Sequence, residues 1–115
     1  MLIALIAGLS QSPMDLTPTD SYVAAYRQCM LSKSAELAAE GPELVEVTVS
    51  RATDYCAPDL ASFETVMVQT LQNHLPERDA ASIARQMRDA ARDSAARRAR
   101  EYLVEEQLKQ NAQFR

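Results

Sequence analysis

The chain has 115 residues and a formal net charge of −4, with 47% hydrophobic residues, only two glycines and no tryptophan. This length suits one small domain, and the apolar content is too high for a chain that is disordered throughout. The mildly acidic charge argues against bulk electrostatic attraction to nucleic acid. Because glycine is rare and good helix formers are plentiful, the composition predicts an all-α fold.

Residues 1–12 are predicted to be an export signal, because an apolar run at 2–9 precedes small residues. Cleavage after Ser10, with Gly8 two residues before it, would leave Gln11 as the first residue of the mature chain. No Lys or Arg precedes the run, which is also shorter than usual, so a tail or an anchor is the alternative. The run is too short to span a bilayer as a helix. We therefore expect an exported protein, either periplasmic or secreted.

A linker at 13–17 leads into the first predicted helix, 18–39, for which Thr17 is the expected N-cap. The Gly41-Pro42 pair ends this helix and begins a second one, predicted to reach Ala57.

The segment 44–49 allows two interpretations. Val45 and Val49 lie on one helical face, but Val45, Val47 and Val49 also alternate with polar residues as in a strand. The helix is favoured, because the sequence contains no second β-like run with which a strand could pair.

Pro58 and Pro76 mark the next two breaks. Between them we predict a third helix that ends near His74, and after Pro76 a fourth that runs from Glu77 to at least Lys109. Residues 18–115 thus form a single helical domain. The apolar positions expected in its core, at helical spacing, include Tyr22, Tyr26, Cys29, Met30, Leu37, Val45, Val49, Ala52, Cys56, Leu60, Phe63, Met67, Leu71, Ala80, Ile83, Ala84, Met87, Ala91 and Ala95.

The fourth helix is longer than the first, so residues 100–115 are expected to protrude from the bundle. This end carries the apolar residues Tyr102, Leu103, Val104 and Leu108. They are candidates for contact with a partner protein or with a second copy of the chain, and the alternative is that they fold back onto the bundle.

Cys29 and Cys56 are the only cysteines, and each lies about 13 residues from the predicted Gly41-Pro42 turn. In an antiparallel hairpin both would be about 20 Å from the turn, on facing apolar surfaces. We therefore predict a disulfide that links the first two helices, worth about 3–3.5 kcal/mol in the chain-entropy model. Two reduced core thiols are the alternative, but an oxidising compartment favours the bond.

No residue pattern indicates an enzyme or a cofactor. Two cysteines and one histidine are too few for a zinc site of the usual kind. His74 has no identifiable orienting carboxylate or oxyanion loop, so we interpret it as a structural residue at a helix end. The acidic pairs in the chain are typical of solvated helix surfaces.

The last helix is also rich in arginine, and we interpret this mainly as a solvated helix face. The residues concerned are Arg85, Arg88, Arg92, Arg97, Arg98 and Arg100. The sequence thus predicts a small exported all-α protein, non-enzymatic and without a cofactor, that acts through protein–protein contacts of its last helix. The alternative is a module that uses the arginines to bind an anionic membrane surface or another polyanion.

Overall fold

The computed structural model describes residues 15–113, which form four α-helices and no strand. We number the helices α1 (Thr17–Glu40), α2 (Val45–Tyr55), α3 (Ala57–Leu71) and α4 (Glu77–Gln113). The all-α prediction is confirmed, and because α2 covers most of the segment 44–49, its interpretation as a strand is wrong. The predicted export signal lies outside the described residues.

The helices form a bundle of three rods, because α2 and α3 follow each other in one direction. Cys29 at mid-α1 is bonded to Cys56, where α2 meets α3. Two salt bridges show the direction of α4. Glu46 of α2 pairs with Arg100, and Glu64 of α3, further along the chain, pairs with Arg88, which precedes Arg100. The α2–α3 rod therefore runs antiparallel to both α1 and α4.

Cys56 ends α2 and begins α3, so the two helices are halves of one broken helix. Its backbone N–H donates to the Ala52 carbonyl at 2.9 Å, and its carbonyl accepts from the Leu60 N–H at 3.3 Å. Pro58 cannot donate a backbone hydrogen bond, which explains the break at this point. The second predicted helix thus extends no further than Tyr55.

The ends of α1 differ from the prediction in detail. Thr17 lies inside the first turn and is not the N-cap. Its backbone N–H donates a hydrogen bond to Oδ1 of Asp15 at 3.0 Å. Hydrogen bonding from the side chain of Thr17, together with that from its backbone N–H, lowers the pKa of Asp15 below its ordinary value. At the other end, Gly41 is nearly fully extended (φ 158°, ψ 169°) and does not adopt the left-handed conformation. Leu44, also extended, precedes α2, so Pro42 lies in the connection and not in the helix.

The core runs along the axis of the bundle, and α4 contributes small residues to it. Large side chains come from α1, α2 and α3, among them the fully buried Tyr26, Met30 and Met67. The α4 residues buried against them are Ala80, Ala84, Ala91, Ala95, Ala96, Ala99 and Leu103. Alanine side chains let helix axes approach closely, but each buries little apolar area.

Three of the expected core positions are wrong. Tyr22 of α1 and Ile83 and Met87 of α4 are each more than a third exposed. Val45 is only partly buried against the core. These residues lie at helical spacing from true core positions, and hydrophobic periodicity alone does not distinguish the centre of a buried face from its edge.

Candidate functional site

The disulfide between Cys29 and Cys56 is the clearest chemical feature of the molecule. The two Cα atoms lie 6.0 Å apart, within the usual range for a disulfide, and the bond closes a loop of 27 residues. Cys56 is buried, and Cys29 packs at the edge of the core. The predicted pairing is therefore confirmed, and the bond fixes the α2–α3 junction to the middle of α1.

The end of α4 divides at Leu103 into a buried part and a projecting part. Leu103 is only 4% exposed and belongs to the core of its own chain, and Tyr102 is partly buried against that core. The two residues thus do not offer the free surface that was expected of them. Val104 and Leu108, however, are 45% and 63% exposed. We call residues 104–113 the distal segment, and it remains helical although none of its residues is buried.

An open groove of about 520 Å³ lies beside this end of α4. One wall comes from the α1–α2 connection and the start of α2, including Gly41 and Thr48, and the other comes from α4, including Leu103 and Gln107. Two carboxylates also line it, Glu43 and Glu106. Each already has a cation within salt-bridge distance, Arg51 at 2.9 Å and Lys109 at 3.4 Å respectively. The groove thus has a mixed polar and apolar lining, and its two carboxylates are compensated.

The arginines of α4 do not form one continuous basic surface. Arg88 binds Glu64 of α3 at 3.0 Å and Asp89 at 2.9 Å, and these hydrogen bonds raise its pKa. Arg92 pairs with Asp89 and Asp93, and Arg100 with Glu46 of α2 at 2.7 Å.

Arg85, Arg97 and Arg98 form no salt bridge with residues 15–113. At about 3.6 residues per turn these three point in well-separated directions around α4.

These ion pairs between helices could not be read from the sequence. The sequence suggests pairs within α4, such as Asp93 with Arg97, but the observed partner of Arg100 is 54 residues away along the chain. Which acid faces which arginine depends on how α2 and α3 are rotated against α4. No local pattern specifies that rotation.

A buried hydroxyl lies where α1 faces the middle of α4. Tyr26 is fully buried, and within the described residues its hydroxyl has no hydrogen-bond partner. Burial raises the pKa of Tyr26 above its ordinary value, because the charged phenolate is poorly solvated there. Ser34, about two turns of α1 beyond Tyr26, is likewise buried, and residues 15–113 offer its hydroxyl no hydrogen-bond partner. Neither hydroxyl has a general base beside it, so this arrangement does not resemble an activated nucleophile.

Within residues 15–113, no group of three or more His, Cys, Asp or Glu side chains is arranged to hold a metal ion. His74 is exposed in the turn after α3, three residues beyond the end of the helix at Leu71, and its backbone N–H donates to the Leu71 carbonyl. None of the helices described has the length and apolarity needed to span a bilayer.

Comparison with known proteins finds no matching family model, curated protein or solved structure.

Proposed function

We propose that this protein is a small exported helical protein without enzymatic activity, and that it acts by binding another polypeptide through the distal segment of α4. The observation that supports this best is the exposure of Val104 and Leu108 on a helix that continues about two and a half turns beyond its last buried residue.

A projecting helix is costly to keep ordered when nothing packs against it. Isolated helices of ten residues are marginal in water, because tertiary packing supplies most helical stability in proteins. Val104 and Leu108 are one turn apart and lie on the same face, so a partner could cover both with one apolar surface. Burying them would contribute to affinity in proportion to the apolar area removed from water.

Export is supported by the disulfide, which is consistent with an oxidising compartment. The proposal places the protein in the periplasm or outside the cell and takes residues 1–12 as its signal. Expression with the natural start should give a mature chain that begins near Gln11. Mass spectrometry that finds only chains retaining Met1, in a reducing compartment, would contradict this part of the proposal.

Binding of an anionic surface has less support. Of the six α4 arginines considered for this role, three are occupied by carboxylates of the same chain, and the other three are dispersed around the helix. A salt titration distinguishes the two functions, because polyanion binding weakens steeply with salt whereas an apolar helix contact does not.

Photo-cross-linking at position 104 in the native compartment tests the proposal. A photo-reactive benzoylphenylalanine replaces Val104 in the full chain, and Val47 is replaced in a matched control. The two valines are both helical and similarly exposed, at 45% and 43%, but Val47 lies on α2. We expect a polypeptide adduct from position 104 and none from position 47. No adduct from position 104, or equal adducts from both, would overturn the proposal.

A further inference from the structure

A second seven-residue pattern runs along the outer face of α4, separate from the alanines that pack into the bundle. Starting at Ile83, residues spaced alternately by four and three positions lie close to one line as far as 111. The apolar members lie towards the two ends of this line and include Met87, Val104 and Leu108, whereas Arg97 and Glu101 occupy its centre. We call this line the outer seam.

The outer seam is exposed along most of its length, and Ser94 is its one half-buried position between 83 and 111. Ile83, Met87, Val104 and Leu108 are among the large apolar side chains that the bundle leaves exposed, and Arg97 and Glu101 are exposed as well. No salt bridge with residues 15–113 engages Arg97 or Glu101. The seam thus has an apolar stretch at each end and two opposite charges between them that form no salt bridge with residues 15–113.

A second copy of α4 complements this seam when it lies antiparallel. Suppose that the two-fold axis is perpendicular to both helices and level with position 99. Arg97 of each copy then faces Glu101 of the other, so that two identical ion pairs form at the centre. In a parallel arrangement Arg97 would face Arg97 and Glu101 would face Glu101, and both contacts would be repulsive. Charged residues at seam positions select orientation and register in this way in helix pairs.

The same register also sets the positions that the apolar residues near the ends of the seam face on the second copy. It places Leu108 opposite Ala90 of the second copy, Val104 opposite Ser94, and Met87 opposite Asn111. Val104 and Leu108 each therefore meet a small side chain, which a close helix contact requires. Arg100, at the edge of the seam, is already paired with Glu46 of its own chain, so its charge is compensated.

We propose that the partner of the outer seam is a second copy of this chain, bound as an antiparallel α4–α4 homodimer in which Arg97 and Glu101 pair reciprocally. This inference rests on the proposed function and names its partner. The distal segment of each copy then lies along the proximal half of the other copy's α4, which accounts for the exposure of Val104 and Leu108 in the single chain.

Charge exchange on the full-length mature protein tests the arrangement. Sedimentation equilibrium over a concentration series gives the dimer dissociation constant of wild type, Arg97→Glu, Glu101→Arg and the double variant. Each single variant places two like-charged pairs at the axis, and we expect its dissociation constant to rise about tenfold or more. The double variant restores both pairs in reverse and should dimerise like wild type.

Mixing the two single variants gives the sharpest result. One carries only Glu at the two central positions and the other only Arg, so a mixture should form a heterodimer although each alone is monomeric. The melting temperatures of dilute samples should be similar, because both positions are exposed. Val104→Ser should weaken the dimer, whereas the matched Val47→Ser should not.

A monomeric wild type across the series would overturn the inference, and so would a dimer that the single charge variants do not weaken. The cross-linking experiment separates this failure from that of the proposed function. An adduct at position 104 with a different protein would retain partner binding and remove the homodimer, whereas the absence of any adduct would remove both.

Discussion

The disulfide joins Cys29, near the middle of α1, to Cys56, the residue at which α2 ends and α3 begins. One covalent bond therefore positions three helices at once. Cys56 also lies two residues before Pro58, where the backbone hydrogen-bond pattern is interrupted. The least regular point of the α2–α3 rod is thus the point that is tied to the neighbouring helix.

Loss of this bond should lower stability substantially. Replacing both cysteines with Ser is expected to reduce the free energy of unfolding by about 3 kcal/mol, since the bond closes a loop of 27 residues in the unfolded chain. Helical content at low temperature should not change. Denaturant titration followed by circular dichroism measures both quantities. Equal stability of the oxidised wild type and the double variant would show that the bond does not constrain the unfolded chain.

The alanine face of α4 should not tolerate larger side chains. Ala84 is fully buried, and Ala84→Leu is expected to destabilise the protein by about 1–3 kcal/mol, because three more carbon atoms must fit between close helices. The control is Ala25→Leu, at an exposed position of α1, which should change stability by less than about 0.5 kcal/mol. Thermal unfolding of the two variants provides the comparison, and equal effects would mean that α4 is not closely packed.

Removing the buried hydroxyl of Tyr26 should not harm the fold. That hydroxyl has no partner in the described residues, so Tyr26→Phe is expected to leave stability unchanged at pH 7 or to raise it by about 1 kcal/mol. A loss of more than about 1 kcal/mol on urea titration would indicate that the hydroxyl makes a favourable interaction after all.

Alkaline pH should distinguish the stability of Tyr26→Phe from that of the wild type. The pKa of Tyr26 is raised in the folded protein from an ordinary value of 10.0. The stabilising contribution of the neutral group is therefore complete below pH 10 and is lost as the pH rises through the folded-state pKa, because the unfolded chain releases the proton first. As the pH rises above 10, wild type should lose stability more steeply than Tyr26→Phe, as measured by urea titration at each pH. Parallel curves would mean that Tyr26 does not couple folding to pH.

Two truncations should separate the core from the distal segment. Among the described residues, ending the chain after Leu103 removes none that is buried, so the melting temperature of a dilute sample should change little. Ending it after Ala99 also removes Leu103, and loss of a buried Leu typically costs about 2–5 kcal/mol. A similar melting temperature for both truncated chains would show that Leu103 does not stabilise the bundle. A large loss already in the longer one would show that the distal segment belongs to the core.

Much of this fold could be predicted from the sequence, because its signals are local. Pro58, Pro76 and Gly41 mark the breaks, and each helix begins and ends within a few residues of its expected position. The cysteine pairing also followed from sequence, since Cys29 and Cys56 are equidistant from the turn. The rotation of each helix did not, so that Tyr22 and Met87 were expected inside and Leu103 was expected outside. The alanine stripe of α4 was correctly expected inside, because its members recur at helical spacing and are buried.

The contrast between the linked helices and the alanine face implies an unequal response to mechanical force. A force applied at the C-terminus would act along α4 and would separate the contacts of its buried alanines one after another. The α1–α2 hairpin and the start of α3 would remain closed, because a covalent bond holds them near their centre. Tension would therefore separate α4, which carries the proposed binding surface, from the other helices before it separates the linked α1–α2 hairpin.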